Sequence, residues 1–219
     1  LWAIWGGEVL HAVLDDMMSG TGAELLSRDC PDFNEALMVF LPKEGINIGE
    51  GKGMGCAPEA TRPLSIANGE CRILANAARY AVERCVSPWV SEAQQGFLPG
   101  RSMLSNVLAV DERMMEVALK EEAGSAVFLD FRAAFPTVSK GFILTVLRRL
   151  GVPASMMALV TTLYHANSFW VVAGGERHPG FSVDSGIRQG CPLSPVLFAL
   201  AADLLLRCLN RRLPEVLIK

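Results

Sequence analysis

The sequence predicts an α+β fold, in which helices dominate the first half of the chain and strands mix with helices in the second. Apolar residues recur at helical spacing in several segments, and short β-compatible runs lie between glycine- and proline-rich turns. The sequence contains no internal repeat or low-complexity tract. With 219 residues, 51% of them hydrophobic and 20% charged, the chain can bury one large core or two small ones.

The first half of the chain is predicted to be mainly helical. Its elements are, in chain order, weak helical patterns before residue 40, a β-compatible run at 36–42, a loop at 45–55, a helix at 69–86 and a helix that begins after Ser102. Five glycines in eleven residues disfavour regular structure in the loop. Pro88 ends the first well-defined helix, and Ser102 is a typical N-cap for the second, which carries an apolar stripe.

The second half alternates strands with helices. Its predicted elements are a buried strand at 125–131, helices at 140–150 and 153–164, strands at 168–173 and 180–183, and a helix from 194 to about 212. The run SAVFLDF at 125–131 is almost entirely apolar, which is typical of a strand buried on both faces. Gly151 is placed to end one helix and Pro153 to open the next.

Charge is distributed unevenly along the chain, whose formal total is −3. Net charge is −7 over residues 1–60, 0 over 61–140 and +4 over 141–219. Contact with a polyanion is therefore expected in the second and third blocks, where the arginines lie. The acidic total argues mildly against nucleic-acid binding, so composition leaves that question open.

The six cysteines are scattered without a C-x-x-C pair, and the three histidines stand apart from them. This pattern indicates neither a zinc site nor a disulfide framework, and predicts reduced thiols that pack as small buried hydrophobic residues. No signal peptide is visible, and the longest apolar run, 195–206, is interrupted by Asp203 and too short to span a bilayer. We therefore expect an intracellular protein that is neither secreted nor membrane-bound.

Asp130 is the residue that most suggests chemistry. It follows an apolar run, between Leu129 and Phe131, where a charge is costly unless something binds it. One interpretation is a carboxylate that emerges into solvent or caps the next turn. The other is a metal ligand, since the end of a strand is a rigid mount for a carboxylate that binds Mg²⁺.

The segment 186–195, GIRQGCPLSP, contains two glycines and two prolines within ten residues. This composition predicts a defined turn that leads into a helix starting at Ser194 or Pro195. Such a turn can present backbone amides and the Gln189 side chain to a ligand, or it can simply connect a strand to a helix.

Taken together, five segments resemble the motifs of reverse transcriptases, in the family's order. FLDFRAAFPTV (128–138) and GIRQGCPLSPVLF (186–198) are similar to motifs A and B, and the segments similar to finger motifs are LPK (41–43), RPLS (62–65) and QGFLPGRS (95–102). The likeness is greatest to the branch of non-LTR retrotransposons and group II introns. It covers roughly residues 36–200, and five ordered motifs are far more specific than any one of them.

The resemblance implies a right-hand polymerase fold with mostly helical fingers and an incomplete palm. Residues 1–123 would form an N-terminal extension and the fingers, and residues 124–219 part of the palm, an antiparallel sheet with helices that begins at the Asp130 strand. The implied activity in the full-length parent is RNA-directed DNA synthesis, which adds dNTPs to the 3′-hydroxyl of a DNA primer on an RNA template. This activity would serve retrotransposition, which implies that the protein acts in the nucleus.

The resemblance also implies roles for residues of motif A. Asp130 would be a catalytic carboxylate that helps hold two Mg²⁺ ions, which activate the primer hydroxyl and steady the leaving pyrophosphate. The backbone carbonyl of Phe131 would share one ion. Phe135 stands at the steric-gate position, where an aromatic ring under the incoming sugar disfavours a 2′-hydroxyl.

Residues of the other motifs are implied to bind the nucleotide. Lys43 and Arg62 match the finger residues that grip the triphosphate, a role suited to a point charge and a guanidinium fork. Gln189 and Gly190 match the part of motif B that packs against the nucleotide and the template.

On the template side, Gly96 and Arg101 fall in a finger motif close to the template strand. Two positions depart from the family pattern: Ser105 stands where aspartate is frequent, which puts a template contact there in doubt, and Pro136 replaces a frequent aspartate. The second change is expected to alter the turn more than the chemistry.

The third motif of the family, which ends in Asp-Asp on a hairpin, is absent. No Asp-Asp follows Asp16, and Asp15-Asp16 comes far too early in the chain to serve. One carboxylate cannot assemble a two-metal site, so the fragment alone is expected not to polymerise DNA. The alternatives are a catalytically dead remnant that acts at most as an RNA-binding module, and an unrelated helical interaction domain.

Overall fold

A computed structural model describes residues 2–43, 46–47, 54–214 and 216 of the chain. The elements among these residues are α1 (Trp2–Met18), α2 (Gly22–Asp29), β1 (Glu35–Pro42), β2 (Ile46–Asn47), β3 (Met54–Gly55), β4 (Thr61–Ala67), α3 (Gly69–Val86), α4 (Met103–Leu119), α5 (Ala134–Thr137), α6 (Lys140–Arg149), α7 (Ala154–Leu163), β5 (Ser168–Ala173), β6 (Glu176–Ser182) and α8 (Ser194–Arg212). A short 3₁₀ helix, Pro58–Ala60, precedes β4. The α+β prediction is confirmed.

Four of the strands form one mixed sheet in the order β4-β1-β5-β6. Strand β1 pairs antiparallel with β4, from Ala36 opposite Ala67 to Pro42 opposite Thr61. On its other edge β1 runs parallel to β5. The sheet is therefore mixed, whereas a wholly antiparallel sheet was expected. The sheet therefore joins strands from both sides of residue 123, and the division of the chain at that residue stays a prediction.

The helix ends follow local sequence signals. Helix α3 covers the predicted range and buries Cys71, Leu74, Ala78 and Val82, which recur every three or four residues. Helix α6 ends as expected at Gly151, whose φ of +74° lets its N–H donate to the Arg148 carbonyl at 3.1 Å.

The core lies between the sheet and the helices. Ala36, Ala67 and Phe169 supply its sheet side, and buried side chains of α3, α7 and α8 supply its helical side. Helix α7 is central, because α1, α2, α3 and α6 all pack against it. No helix in the described part of the chain is both long and apolar enough to cross a membrane.

The predicted buried strand at 125–131 is wrong. The segment has no regular secondary structure and belongs to no sheet, and Val127, Phe128 and Leu129 are about four-fifths exposed, at 80%, 82% and 79%. Its apolar pattern is that of a strand, but a strand needs a hydrogen-bonded neighbour. None of the described segments pairs with its backbone.

Helix α4 begins as predicted, because the Ser102 hydroxyl accepts a hydrogen bond from the Leu104 N–H at 3.2 Å. Its apolar stripe, however, stays largely exposed: no side chain of α4 is buried, and Leu104, Val107, Leu108, Met114 and Met115 are 57–62% exposed. Helix α4 and segment 125–131 thus expose apolar surface on consecutive parts of the chain.

Two further strand predictions need correction. Strand β4 was not predicted, because Arg62 and Pro63 were interpreted as part of the segment that leads into α3. It is an edge strand of the sheet, where proline is tolerated. The loop at 45–55 was expected to lack regular structure, but its ends pair as β2 and β3. Gly45 and residues 48–53 of that loop lie outside the described residues.

All six cysteines are free thiols. Cys71 and Cys191 are buried, as expected for small hydrophobic residues, and burial raises the pKa of the Cys71 thiol. Cys30 and Cys208 are exposed, so the prediction of buried thiols is wrong for these two.

Candidate active site

The turn at 186–195 is fixed on one side by the short helix α5. The N–H of Gly186 donates to the Val138 carbonyl at 3.1 Å, and the N–H of Ile187 donates to the Phe135 carbonyl at 2.9 Å. Gly186 has a φ of +88°, and a Cβ there would lie 2.6 Å from the Pro136 carbonyl oxygen. Only glycine fits this close approach.

On its other side the same turn is fixed by strand β4. The Gln189 carbonyl accepts a hydrogen bond from the Ser65 N–H at 3.0 Å and another from the Ser65 hydroxyl. Gly190 follows with a φ of +104°, and a Cβ there would lie 2.3 Å from the Ser65 carbonyl oxygen. The turn therefore bridges α5 and β4, two segments about seventy residues apart in sequence.

Replacing Gly190 by Ala is expected to lower the free energy of unfolding by about 2–4 kcal/mol, because strain at positive φ adds to the clash with Ser65. Urea unfolding of the two proteins measures this difference. The matched control is Gly174→Ala in the β5–β6 turn, where φ is +62° but no atom lies within 4 Å of the added Cβ. That change should cost only about 1 kcal/mol. Equal losses in the two variants would contradict the close approach.

One residue of the turn itself is a buried arginine to which the motifs assigned no role. Arg188 is 4% exposed and donates to the Leu163 carbonyl at 2.9 Å and to the Cys71 Sγ at 3.4 Å. Its guanidinium also faces the Tyr164 ring at 5.7 Å. Burial raises the pKa of Tyr164 well above its usual range, so the phenol stays neutral beside the cation.

The Asp130 carboxylate is exposed and lies within segment 125–131, which belongs to no sheet. Among the described residues it has no hydrogen bond or ion pair, and they contain no group of three or more His, Cys, Asp or Glu that could hold a metal ion. One free carboxylate does not by itself fit a metal site. The interpretation of Asp130 as a carboxylate in solvent describes this geometry, and the metal-ligand role stays a prediction.

Four phenylalanines form a cluster beside Asp130, which we call the phenylalanine cluster: Phe97, Phe131, Phe135 and Phe198. Phe198 on α8 is its centre, with ring centroids 5.1 Å from Phe135, 6.1 Å from Phe131 and 6.4 Å from Phe97. Phe97 also contacts Phe135 at 6.2 Å. The sequence singled out Phe131 and Phe135 but not the other two, whose only signal was their position inside the segments QGF and PVLF.

Lys43 and Arg62 lie at the same end of the β1–β4 pair. Arg62 stands opposite Leu41, two residues before Lys43, and the Lys43 N–H donates to the Ala60 carbonyl at 2.8 Å. Both cationic side chains are exposed. The pairing thus places next to each other two cations that are nineteen positions apart in sequence.

The loop between α3 and α4 is organised by Arg101. Its guanidinium donates to the carbonyls of Val90, at 2.8 Å, of Gln94, at 2.7 Å, and of Ser91. The Gly96 N–H donates to the Gln94 Oε1 at 2.8 Å. Arg101 therefore supports the loop's own backbone, and template contacts of Gly96 and Arg101 stay predictions.

Comparison with known proteins agrees with the order of these motifs. A family described as "Reverse transcriptase (RNA-dependent DNA polymerase)" matches residues 41–218. Two proteins of Popillia japonica, both described as "Retrovirus-related Pol polyprotein from type-1 retrotransposable element R2", are similar to the chain. One is 32% identical over 111 residues, 51% of the chain, and the other 31% identical over 150 residues, 68% of the chain.

A protein with the same description from Nasonia vitripennis is 29% identical over 191 residues, which is 85% of the chain. The aligned regions are 18%, 21% and 17% of the lengths of these three relatives. The chain therefore spans only about a fifth of the curated relatives that it matches.

Proposed function

The chain belongs to the reverse transcriptase family, and on that premise we propose that it is the nucleotide-binding part of an RNA-directed DNA polymerase from a retroelement. The observation that carries the proposal is the turn at 186–195. Its hydrogen bonds join α5, which holds Phe135, to β4, which holds Arg62. The turn therefore hydrogen-bonds directly to the segments that carry two of the other motifs.

The substrates in this proposal are an RNA template, a DNA primer and dNTPs. Lys43 and Arg62 bind the triphosphate, since two exposed cations on paired strands suit an anion with several oxygens. Phe135 lies under the sugar, and Gln189 and Gly190 contact the nucleotide and the template. The protein acts in the nucleus, where a retroelement copy is made.

Reverse transcriptases use divalent metal ions, and we propose Mg²⁺ for this one. Asp130 and the Phe131 carbonyl are its candidate ligands here, and the described residues contain no group of three or more His, Cys, Asp or Glu that would complete the site. When bound, such ions supply charge stabilisation for phosphoryl transfer. Asp130 itself is free to bind a cation, because no described side chain neutralises it.

A second candidate function is that of an RNA-binding remnant without catalysis. The observation in its favour is the isolation of Asp130 among the described residues. It predicts binding to RNA that weakens steeply as salt is added, because contacts to phosphate release counterions.

Primer extension by the full-length protein tests the proposal. With a DNA primer on an RNA template, dNTPs and Mg²⁺, we expect complementary DNA to form. Arg62→Ala should raise the KM for dNTPs roughly tenfold, the loss of one charge-assisted contact, whereas Arg113→Ala on the exposed face of α4 should not. Salt-dependent RNA binding without any extension would support the remnant and overturn the polymerase.

A further inference from the structure

The backbone of Phe97 is in a conformation that side chains rarely adopt. Its φ is +64°, and it is one of three non-glycine residues with positive φ among the described residues. For a bulky aromatic residue this region of φ is an outlier. Such a conformation persists only where the surrounding structure holds it, and it is found disproportionately at functional sites.

In this conformation the Phe97 ring contacts two other members of the phenylalanine cluster. Its centroid lies 6.2 Å from that of Phe135, with an interplanar angle of 49°, and 6.4 Å from that of Phe198, with an angle of 81°. These are favourable aromatic geometries. Even so, Phe97 is 55% exposed, so burial of its own surface does not explain its unusual backbone.

The loop that carries Phe97 is firmly held. Arg101 binds three of its carbonyls, and the Ser91 N–H donates to the buried Asp203 carboxylate on α8 at 2.9 Å. Gly100 supplies a further positive φ of +72°. The position of the Phe97 ring is therefore set by a network that ties the loop to α8.

Phe135, in contrast, has little support from its own element. Helix α5 has four residues, and none of them is buried. The Phe135 ring contacts Phe198 at 5.1 Å and Phe97 at 6.2 Å. Removing Phe97 would leave one of these two aromatic contacts and give the ring more freedom to move.

We propose that Phe97 is a positioning residue that supports the Phe135 ring and thereby sets how strongly the site rejects a ribose 2′-hydroxyl. The inference rests on the proposed function, in which Phe135 lies under the incoming sugar. A ring excludes an extra hydroxyl only if it cannot move aside. The loop, through Phe97, supplies that restraint from a different part of the chain.

The test is the ratio of kcat/KM for a dNTP to kcat/KM for the matching rNTP, measured with the full-length protein. Phe97→Gly, which fits a φ of +64° without strain, and Phe97→Leu should each lower the ratio about 3- to 10-fold, the equivalent of one aromatic pair. The kcat/KM for dNTPs should change less than about twofold. Phe97→Tyr should keep the ratio of the unchanged protein, and Phe142→Leu on α6, 46% exposed, is the control for loss of an exposed ring.

Phe135→Val, measured in parallel, separates this inference from the proposed function. If Phe135→Val lowers the ratio but both Phe97 variants leave it unchanged, the inference is overturned and the function stands. If Phe135→Val also leaves the ratio unchanged, Phe135 does not exclude the 2′-hydroxyl, and the inference about Phe97 is overturned as well. The inference is supported if Phe97→Gly and Phe97→Leu lower the ratio and Phe97→Tyr keeps it. A merely structural defect would instead lower kcat/KM for the dNTP and for the rNTP together.

Discussion

Replacing Asp130 by Asn is expected to abolish primer extension by the full-length protein, lowering kcat at least about a hundredfold. Asparagine keeps the size of the side chain but removes the charge that would bind a cation. Asp130 is exposed and makes no ion pair with the described residues, so the change should not disturb folding. A loss of activity without a loss of stability would locate the effect in the chemistry.

The control for this prediction is Asp111→Asn, which removes another exposed carboxylate, on α4. It should leave kcat within about twofold of the unchanged protein, as expected for a surface position. Primer extension and urea unfolding are measured on both variants. Normal extension by the Asp130 variant would contradict the catalytic assignment, whatever its stability.

Replacing Asp203 by Ala is expected to lower the free energy of unfolding by about 2–4 kcal/mol. Asp203 is 2% exposed and accepts hydrogen bonds from the Ser91 N–H at 2.9 Å, from the Ser91 hydroxyl, and from the Arg207 Nε at 2.6 Å. Its loss leaves these donors without their acceptor. The cost should stay below that of a fully buried pair, because the Arg207 side chain is 49% exposed and can be rehydrated.

Urea unfolding measures this loss, and the exposed pair of Arg113 and Glu116 provides the control. Their atoms lie 2.7 Å apart on α4, but both side chains are 49% exposed. Glu116→Ala should therefore cost less than about 1 kcal/mol. Similar losses in the two variants would show that the Asp203 contacts do not hold the loop to α8.

Local signals in the sequence predicted most of the helices. The helical spacing of Ile73, Leu74, Ala77, Ala81 and Cys85 located α3, although Ile73 and Ala77 are exposed and the buried face carries Cys71, Leu74 and Ala78. Ser102 and Gly151 located the start of α4 and the end of α6. These signals work because capping and helical periodicity depend on residues within a turn or two of each other.

Strands were predicted less well, because a strand depends on a partner that may be distant in sequence. The apolar run at 125–131 has the composition of a strand but pairs with no described segment. Strand β4, in contrast, has an unpromising composition and forms because β1 pairs with it from Ala36 to Pro42. Pairing, and not composition, separates these two segments.

The candidate site shows the same division. Asp130, Phe135, Gln189 and the glycines of the turn could be named from motifs and their order alone, because each motif is local. The assembly of the site could not, since the bond between Ser65 and Gln189 joins residues 124 positions apart. The positions of the Phe97 and Arg188 side chains depend on contacts with residues that are distant in sequence. Sequence spacing specifies which residues are candidates, whereas long-range packing specifies which of them touch.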